Sequence, residues 1–184
     1  MQADPAFRTM QIRPAQESDW PGMWRIFQAV VATETTYAFA SDTSEEDARA
    51  YFLGPGIVSW VAEDDGRIVG VSKLIPNRRD LGSHVANASF MVDPRAQGQG
   101  IGEALGRHCL QEAKRAGYLA MQFNFVVATN TGAVALWRKL GFAIVGTLPK
   151  AYRHRERGLV DAYVMHRFLD DVTLAIDEDP VTGR

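Results

Sequence analysis

Residues 90–110, FMVDPRAQGQGIGEALGRHCL, carry the densest chemistry in the chain. Asp93-Pro94 stops a β-rich run, and Gly98, Gly100 and Gly102 crowd the start of an amphipathic helical pattern. Glycines let backbone N–H groups approach an anion with no side chain in the way, and a helix start adds unpaired donors and a partial positive charge. Such a loop suits a phosphate or diphosphate; it would also serve as a plain turn ahead of a helix. A nucleotide P-loop requires Gly-Lys-Ser/Thr at the helix start, which is missing. The dinucleotide fingerprint requires GxGxxG, whereas here the third glycine falls at 102, Glu103 follows it, and the loop lies at mid-chain. A second candidate is Asn124, a carboxamide inside the otherwise apolar run 118–127. An amide there is costly without a partner. It reads either as a group placed for a ligand or as one paired with an internal backbone group or water.

Positioning these groups falls to elements that the periodicity outlines. Residues 10–13 read as a short strand closed by Pro14, and Ser18 or Asp19 caps a helix reaching about Val31, with Pro21 in its first turn. Ser44, with Asp47 three residues later, opens a second helix that ends before Gly54-Pro55-Gly56. The period then changes. Residues 57–63 and 67–75 are β-rich runs joined by Asp64-Asp65-Gly66, and 84–92 is a third. Ile101, Leu105, Cys109 or Leu110, and Ala113 mark a helix stopped by Gly117. After the strand-like run 118–127, Thr129 or Asn130 caps a helix bearing Val134, Trp137 and Leu140, and 142–147 and 159–168 close the chain as strands. Helices and strands do not alternate regularly, so a mixed α/β (α+β) sheet fits better than a doubly wound one.

The pattern Arg95-x-x-Gly98-x-Gly100, after a strand ending at Val92 and before a long helix, resembles the acetyl-CoA motif of the GNAT acetyltransferase superfamily. TNTGAVALWRKLGF, residues 129–142, resembles that superfamily's second motif. The likeness implies a GNAT domain over residues 9–169 with tails at 1–8 and 170–184, a sheet of six to seven strands whose central parallel pair splays, and about four helices. It implies acetyl-CoA as co-substrate and no metal. Gln97, Gly98, Gln99, Gly100, Ile101 and Gly102, with Arg95, would hold the diphosphate. The pantetheine arm would lie along the strand edge near Phe90 to Val92, contacting Asn130 and Trp137. A backbone N–H near Phe90 or Met91 would polarise the thioester carbonyl. Members of the superfamily often carry a tyrosine in the second motif as the acid for the leaving thiolate; here Trp137 stands there, and an indole cannot give up a proton at neutral pH. Tyr37, Tyr152 or water would have to serve.

NASFMV (87–92) and QFNFVVATN (122–130) also resemble the fungal acetyltransferases that act on azetidine-2-carboxylate and related proline analogues. That likeness implies Asn87, Phe90 and Asn124 facing one cleft, with a bulge between Asn87 and Phe90, since a strand's two-residue period puts them on opposite faces. Tyr37, in the connection 33–39, would line one acceptor wall, and residues 148–158, with Tyr152 and the cluster Lys150, Arg153, His154, Arg155 and Arg157, the other. No Asp or Glu is plainly placed as a base; a water relay to solvent or Glu34 would serve. ETTYAF resembles the phosphinothricin group, so phosphinothricin-like amino acids, a polyamine or a protein N-terminus stand as alternative acceptors. A non-catalytic acyl-CoA-binding module is the alternative of another class. A homodimer is expected on resemblance alone.

Composition bounds these readings. The 184 residues are 46% hydrophobic and 23% charged, enough for one full core and unlike a disordered chain. A net charge of −2 argues against a nucleic-acid partner, which needs a basic face. The single cysteine, Cys109, makes no internal disulfide or zinc cluster and fits a reducing, cytoplasmic setting. No window reaches the roughly 18 apolar residues of a membrane span. His84 and His108 read as structural.

Overall fold

The computed structural model describes residues 10–174. The expected tail 1–8 lies outside the described residues, as does the part of the other tail beyond 174. Seven strands form one sheet: β1 (Gln11–Pro14), β2 (Val58–Asp64), β3 (Arg67–Pro76), β4 (Val85–Val92), β5 (Ala120–Val127), β6 (Ala143–His154) and β7 (Gly158–Phe168), in the order β1-β2-β3-β4-β5-β7-β6. Four α-helices flank it: α1 (Trp20–Val31), α2 (Glu45–Leu53), α3 (Ile101–Arg115) and α4 (Thr131–Lys139). Strand count, helix count and the mixed sheet agree with the sequence reading.

The central feature is the β4–β5 pair. It is the parallel pair of the sheet, and its register holds only at Val85↔Ala120 and Ala86↔Met121. Beyond those residues the strands separate, and the gap opens toward their C-terminal ends, where β4 leads into the glycine loop of α3 and β5 into the N-terminus of α4. The helices keep this geometry rigid. On one face α1 buries Met23, Ile26 and Phe27 with Phe52 of α2 and Val71 and Met91 of the sheet. On the other face α3 and α4 pack so closely that a Cβ at Gly106 would lie 2.6 Å from Leu140 Cδ1 and 3.2 Å from Trp137 Cζ3. Only glycine permits that approach; overpacking of this kind costs about 1–3 kcal/mol.

Helix starts follow local chemistry. Ser44 accepts from the Asp47 amide at 3.1 Å, as the sequence suggests. Asp19 precedes α1 without capping it through its side chain; its carboxylate instead takes two bonds from Arg13, each 2.8 Å, and one from the Gln16 amide at 2.7 Å. Two sequence-based expectations are corrected. β4 pairs with β3 without interruption from Gly70↔Val92 to Pro76↔Ala86, so no bulge separates Asn87 from Phe90. The segment 148–158 is not an open wall loop. β6 continues to His154 and turns tightly into β7, because the register, shifted between Leu148 and Tyr152, resumes at Tyr152↔Val160.

Lys73 of β3 is only 4% exposed. Its ammonium donates to the Tyr51 carbonyl at 2.9 Å, capping the last turn of α2, and lies over the Tyr51 ring. Burial pulls its pKa down to about 8 from 10.5. Between those values the unfolded chain binds more protons than the fold, so stability rises with pH across that window. From about pH 9 the buried Cys109 thiol, pushed up from its ordinary value of 9.0, opposes the trend, joined at higher pH by the burial-raised Tyr37 and Tyr51. Urea unfolding midpoints should therefore climb between about pH 8 and pH 9, and Lys73→Met should flatten the climb; an unchanged slope in that variant would refute the assignment.

Candidate functional site

The glycine loop leaves its backbone open to approach. Gly98 and Gly100 adopt φ of 77° and 80°, left-handed values that favour glycine, and a Cβ at either would meet nothing within 4 Å. Gly100 caps α3, whose first intrahelical bond runs from the Ala104 amide to the Gly100 carbonyl at 3.0 Å. The amides of Ile101, Gly102 and Glu103 therefore have no carbonyl four residues back. Gln97, Gly98, Gln99 and Gly100 are exposed, whereas the Ile101 side chain is buried and anchors the turn. Upstream, the buried Asp93 carboxylate accepts from Arg67 at 2.8 Å and from Arg95 at 3.2 Å. Burial pushes its pKa up, but the Arg95 and Arg67 bonds outweigh that and hold it below the usual carboxylate range. Arg95, expected at the diphosphate, is thus tied to Asp93, with its side chain 66% exposed beside the loop.

Between β4 and β5 lies a cavity of about 300 Å³. Its wall includes Tyr37, Phe39, Tyr51, Asn87, Ser89, Phe90, Phe123, Asn124, Asn130 and Trp137. Asn87, Phe90 and Asn124 are brought together as expected, although by another route. The irregularity lies in β5, where pairing with β7 shifts between Phe123 and Val126, so that Asn124 sits in a bulge. Asn87 donates from Nδ2 to the Gln122 carbonyl at 2.8 Å, bridging the strands just where backbone pairing stops. Asn124 accepts at Oδ1 from Gln122 Nε2 at 2.8 Å and donates from Nδ2 to Asn77 Oδ1 at 2.6 Å. The half-buried amide thus has partners and still lines the cleft. Asn130 is both a cap, accepting from the Ala133 amide at 3.2 Å, and a wall residue. Trp137, 8% exposed, packs its ring 4.8 Å from those of Phe90 and Phe123 and is likewise both core and wall.

The antiparallel register decides which β4 amides face the gap. The Asp93 amide bonds to the Val69 carbonyl, and Asn77 bonds to that of Val85, so alternate residues including Met91 direct their N–H into β3. Met91 is also 2% exposed, its side chain in the core. Phe90, not Met91, turns its amide to the cleft. There Tyr37 has taken it: the Phe90 N–H donates to the Tyr37 hydroxyl at 3.0 Å, and that hydroxyl donates to the Phe90 carbonyl at 2.5 Å. Burial raises the phenol's pKa well above its ordinary value, so it stays protonated.

Other expected residues lie elsewhere. Tyr152 is outside the cavity wall; it is 6% exposed and donates to the Tyr37 carbonyl at 3.2 Å, holding the connection that carries Tyr37. Lys150, Arg153, Arg155 and Arg157 are exposed on the β6–β7 hairpin, and His154 accepts at Nδ1 from the Glu156 and Arg157 amides. Glu34 accepts from Ser41 outside the wall. His108 stacks edgewise on Trp60 at 5.4 Å and does not line the cavity. Tyr51 and Ser89, hydrogen-bonded to each other, and Asn77 behind Asn124 were not singled out from the sequence. A tyrosine in a helix or an asparagine after a strand proline carries no local signal of its cross-sheet partner. Among the described residues no group of three or more His, Cys, Asp or Glu is arranged to hold a metal, and no helix is long and apolar enough to cross a membrane.

Comparison with known proteins agrees with this geometry. The N-acetyltransferase aca1 of Schizosaccharomyces pombe is 36% identical over 120 residues, covering 65% of this chain and 56% of that protein. The chain thus spans little more than half of that relative's length. The L-amino acid N-acetyltransferase AaaT of Escherichia coli is 34% identical over 113 residues, 61% of this chain and 69% of its own. Among solved structures, a GCN5-related N-acetyltransferase from Kribbella flavida superposes with a TM-score of 0.83 at 43% identity, over 86% of this chain and 97% of its own. Residues 21–142 match the acetyltransferase (GNAT) family, and the chain belongs to that family.

Proposed function

We propose that the chain transfers an acetyl group from acetyl-CoA to the amine of a small molecule, with amino acids and proline analogues as the acceptors to try first. The observation that carries this reading is the separation of β4 from β5 after two paired residues, with two helix N-termini at the open end. The residues fit the coenzyme: the open cradle at Gly98 and Gly100 accommodates a diphosphate, and the buried Thr129 Oγ1 at the end of β5 has no protein partner. When bound, acetyl-CoA supplies an activated acetyl group as a thioester. The amides of residues 97–102 hold its diphosphate, with the Arg95 guanidinium nearby. The cleft-facing edge of Phe90 and Val92, with Asn130 and Trp137, holds the pantetheine arm and excludes water.

The Phe90 N–H polarises the reacting carbonyl once the thioester displaces the Tyr37 hydroxyl that holds it. Asn87 and Asn124 orient the amine, and holding both reactants in one cleft supplies several kcal/mol of the barrier reduction. Among the described residues the wall contains no Asp, Glu, Lys, Arg or His, and its Tyr37 and Tyr51 hydroxyls are held protonated by burial. The amine therefore reacts as its free base and sheds its proton to water. A homodimer through the unpaired edge of β6, where Val145 is 61% exposed, and a cytoplasmic setting belong to the same proposal; light scattering and cell fractionation test them.

The direct test is thiol release from acetyl-CoA across azetidine-2-carboxylate, proline analogues, methionine sulfoximine, phosphinothricin and a polyamine. Amine-dependent release with a small acceptor supports the reading. Tight acetyl-CoA binding with no release for any amine would favour a non-catalytic acyl-CoA-binding module, which the indole at Trp137 in place of a phenol brings into view.

A further inference from the structure

We infer that Asn77 is a positioning residue, holding the Asn124 carboxamide so that its Oδ1 meets the N–H of the incoming amine. The inference rests on the transfer reading and adds to it a residue outside the cavity wall.

Asn77 follows β3 and is itself anchored, its backbone amide donating to the Val85 carbonyl at 2.7 Å. From there its side chain crosses the start of β4 and accepts from Asn124 Nδ2 at 2.6 Å. Gln122 Nε2 donates to Asn124 Oδ1 at 2.8 Å. The three amides form a chain with one sense, Gln122 to Asn124 to Asn77, and each bond polarises the next. A primary amide offers two N–H donors and two lone pairs. One of each is spent on the chain, which leaves one Asn124 lone pair and one N–H for the cleft in a fixed orientation. With both partners in place, a turn of the Asn124 amide requires Gln122 and Asn77 to turn with it; with Gln122 alone, which can present either its oxygen or its nitrogen, only two amides have to move. The bulge in β5 at Asn124 explains why the support must come from another strand: there the ladder to β7 is interrupted.

The test compares Asn77→Ala with Asn77→Asp. A carboxylate accepts the same bond from Asn124 and cannot donate, so it preserves the sense of the chain. Asn77→Ala should lower kcat/KM for the amine about tenfold with the KM for acetyl-CoA unchanged, and Asn77→Asp should stay within about threefold of wild type. In an Asn124→Ala background, Asn77→Ala should have no further effect on amine kinetics. Without coenzyme or amine, the Asn124 side-chain NH2 signals in a 15N correlation spectrum should be shifted from free-amide values in wild type and Asn77→Asp, and return to them in Asn77→Ala. Amine-dependent turnover that Asn77→Ala leaves at the wild-type level, an Asn77→Asp variant as damaged as Asn77→Ala, or additive losses in the double variant would overturn the role of Asn77 while leaving the transfer reading standing. A wild-type protein that releases no thiol for any amine would overturn both.

Discussion

Asn124→Ala is expected to lower kcat about a hundredfold while the KM for acetyl-CoA changes little. The carboxamide lies at the bulge of β5, in the wall of the cleft, with its orientation fixed by Gln122 and Asn77. Truncation leaves the coenzyme's own contacts intact, so the loss falls on the step that needs the amine aligned. Losing a preorganised polar contact to the reacting groups typically costs about 10²–10³-fold, and misplacing a reactant costs a similar amount. Asn124→Asp gives the complementary result. A carboxylate keeps the bond from Gln122 but has no N–H for Asn77, and it adds a charge that favours the unreactive ammonium form of the amine. Steady-state kinetics with both substrates varied separates the two effects. Unchanged turnover in Asn124→Ala would remove the residue from the mechanism.

The second large effect belongs to the glycine loop. Gly100→Asp should weaken acetyl-CoA binding at least a hundredfold, equivalent to about 2.7 kcal/mol, whereas Gly100→Asn should cost tenfold or less. Both residues enter the left-handed region more readily than others, and the site of the new Cβ is open. The two variants therefore share the backbone cost and differ chiefly in charge. A carboxylate beside a bound diphosphate meets like charge at close range, where the interaction is worth about 1 kcal/mol in bulk water and several times that near a protein surface. The gap between the variants should narrow as salt rises. Calorimetric titration measures it, and equal affinities for Asp and Asn at low salt would mean that no anion sits at this helix start.

The loop and the asparagines were legible in the sequence because their signals are local. Three glycines after Asp93-Pro94 announce the open loop, and an amide inside an apolar run announces Asn124. What could not be read depends on residues far apart in the chain. The Tyr37 hydroxyl reaches Phe90 across 53 positions, and Asn124 reaches Asn77 across 47. The two-residue period demands a bulge in β4 only if one face lines the cleft; the consecutive residues 87–90 all line it, and the irregularity lies in β5. The resemblance put Tyr152 and the basic cluster at an acceptor wall. The β6–β7 ladder absorbs them through the shift between Leu148 and Tyr152, with Lys150 at φ 53°. Trp137 resisted a single reading for a different reason: it is core and wall at once.

Crystals grown with coenzyme A should show diphosphate oxygens within hydrogen-bond distance of the Gly98, Gly100 and Gly102 amides, and the pantetheine arm running between β4 and β5 past Asn130 to Trp137. A coenzyme seated elsewhere, or a cleft left open at saturating concentration, would contradict this placement.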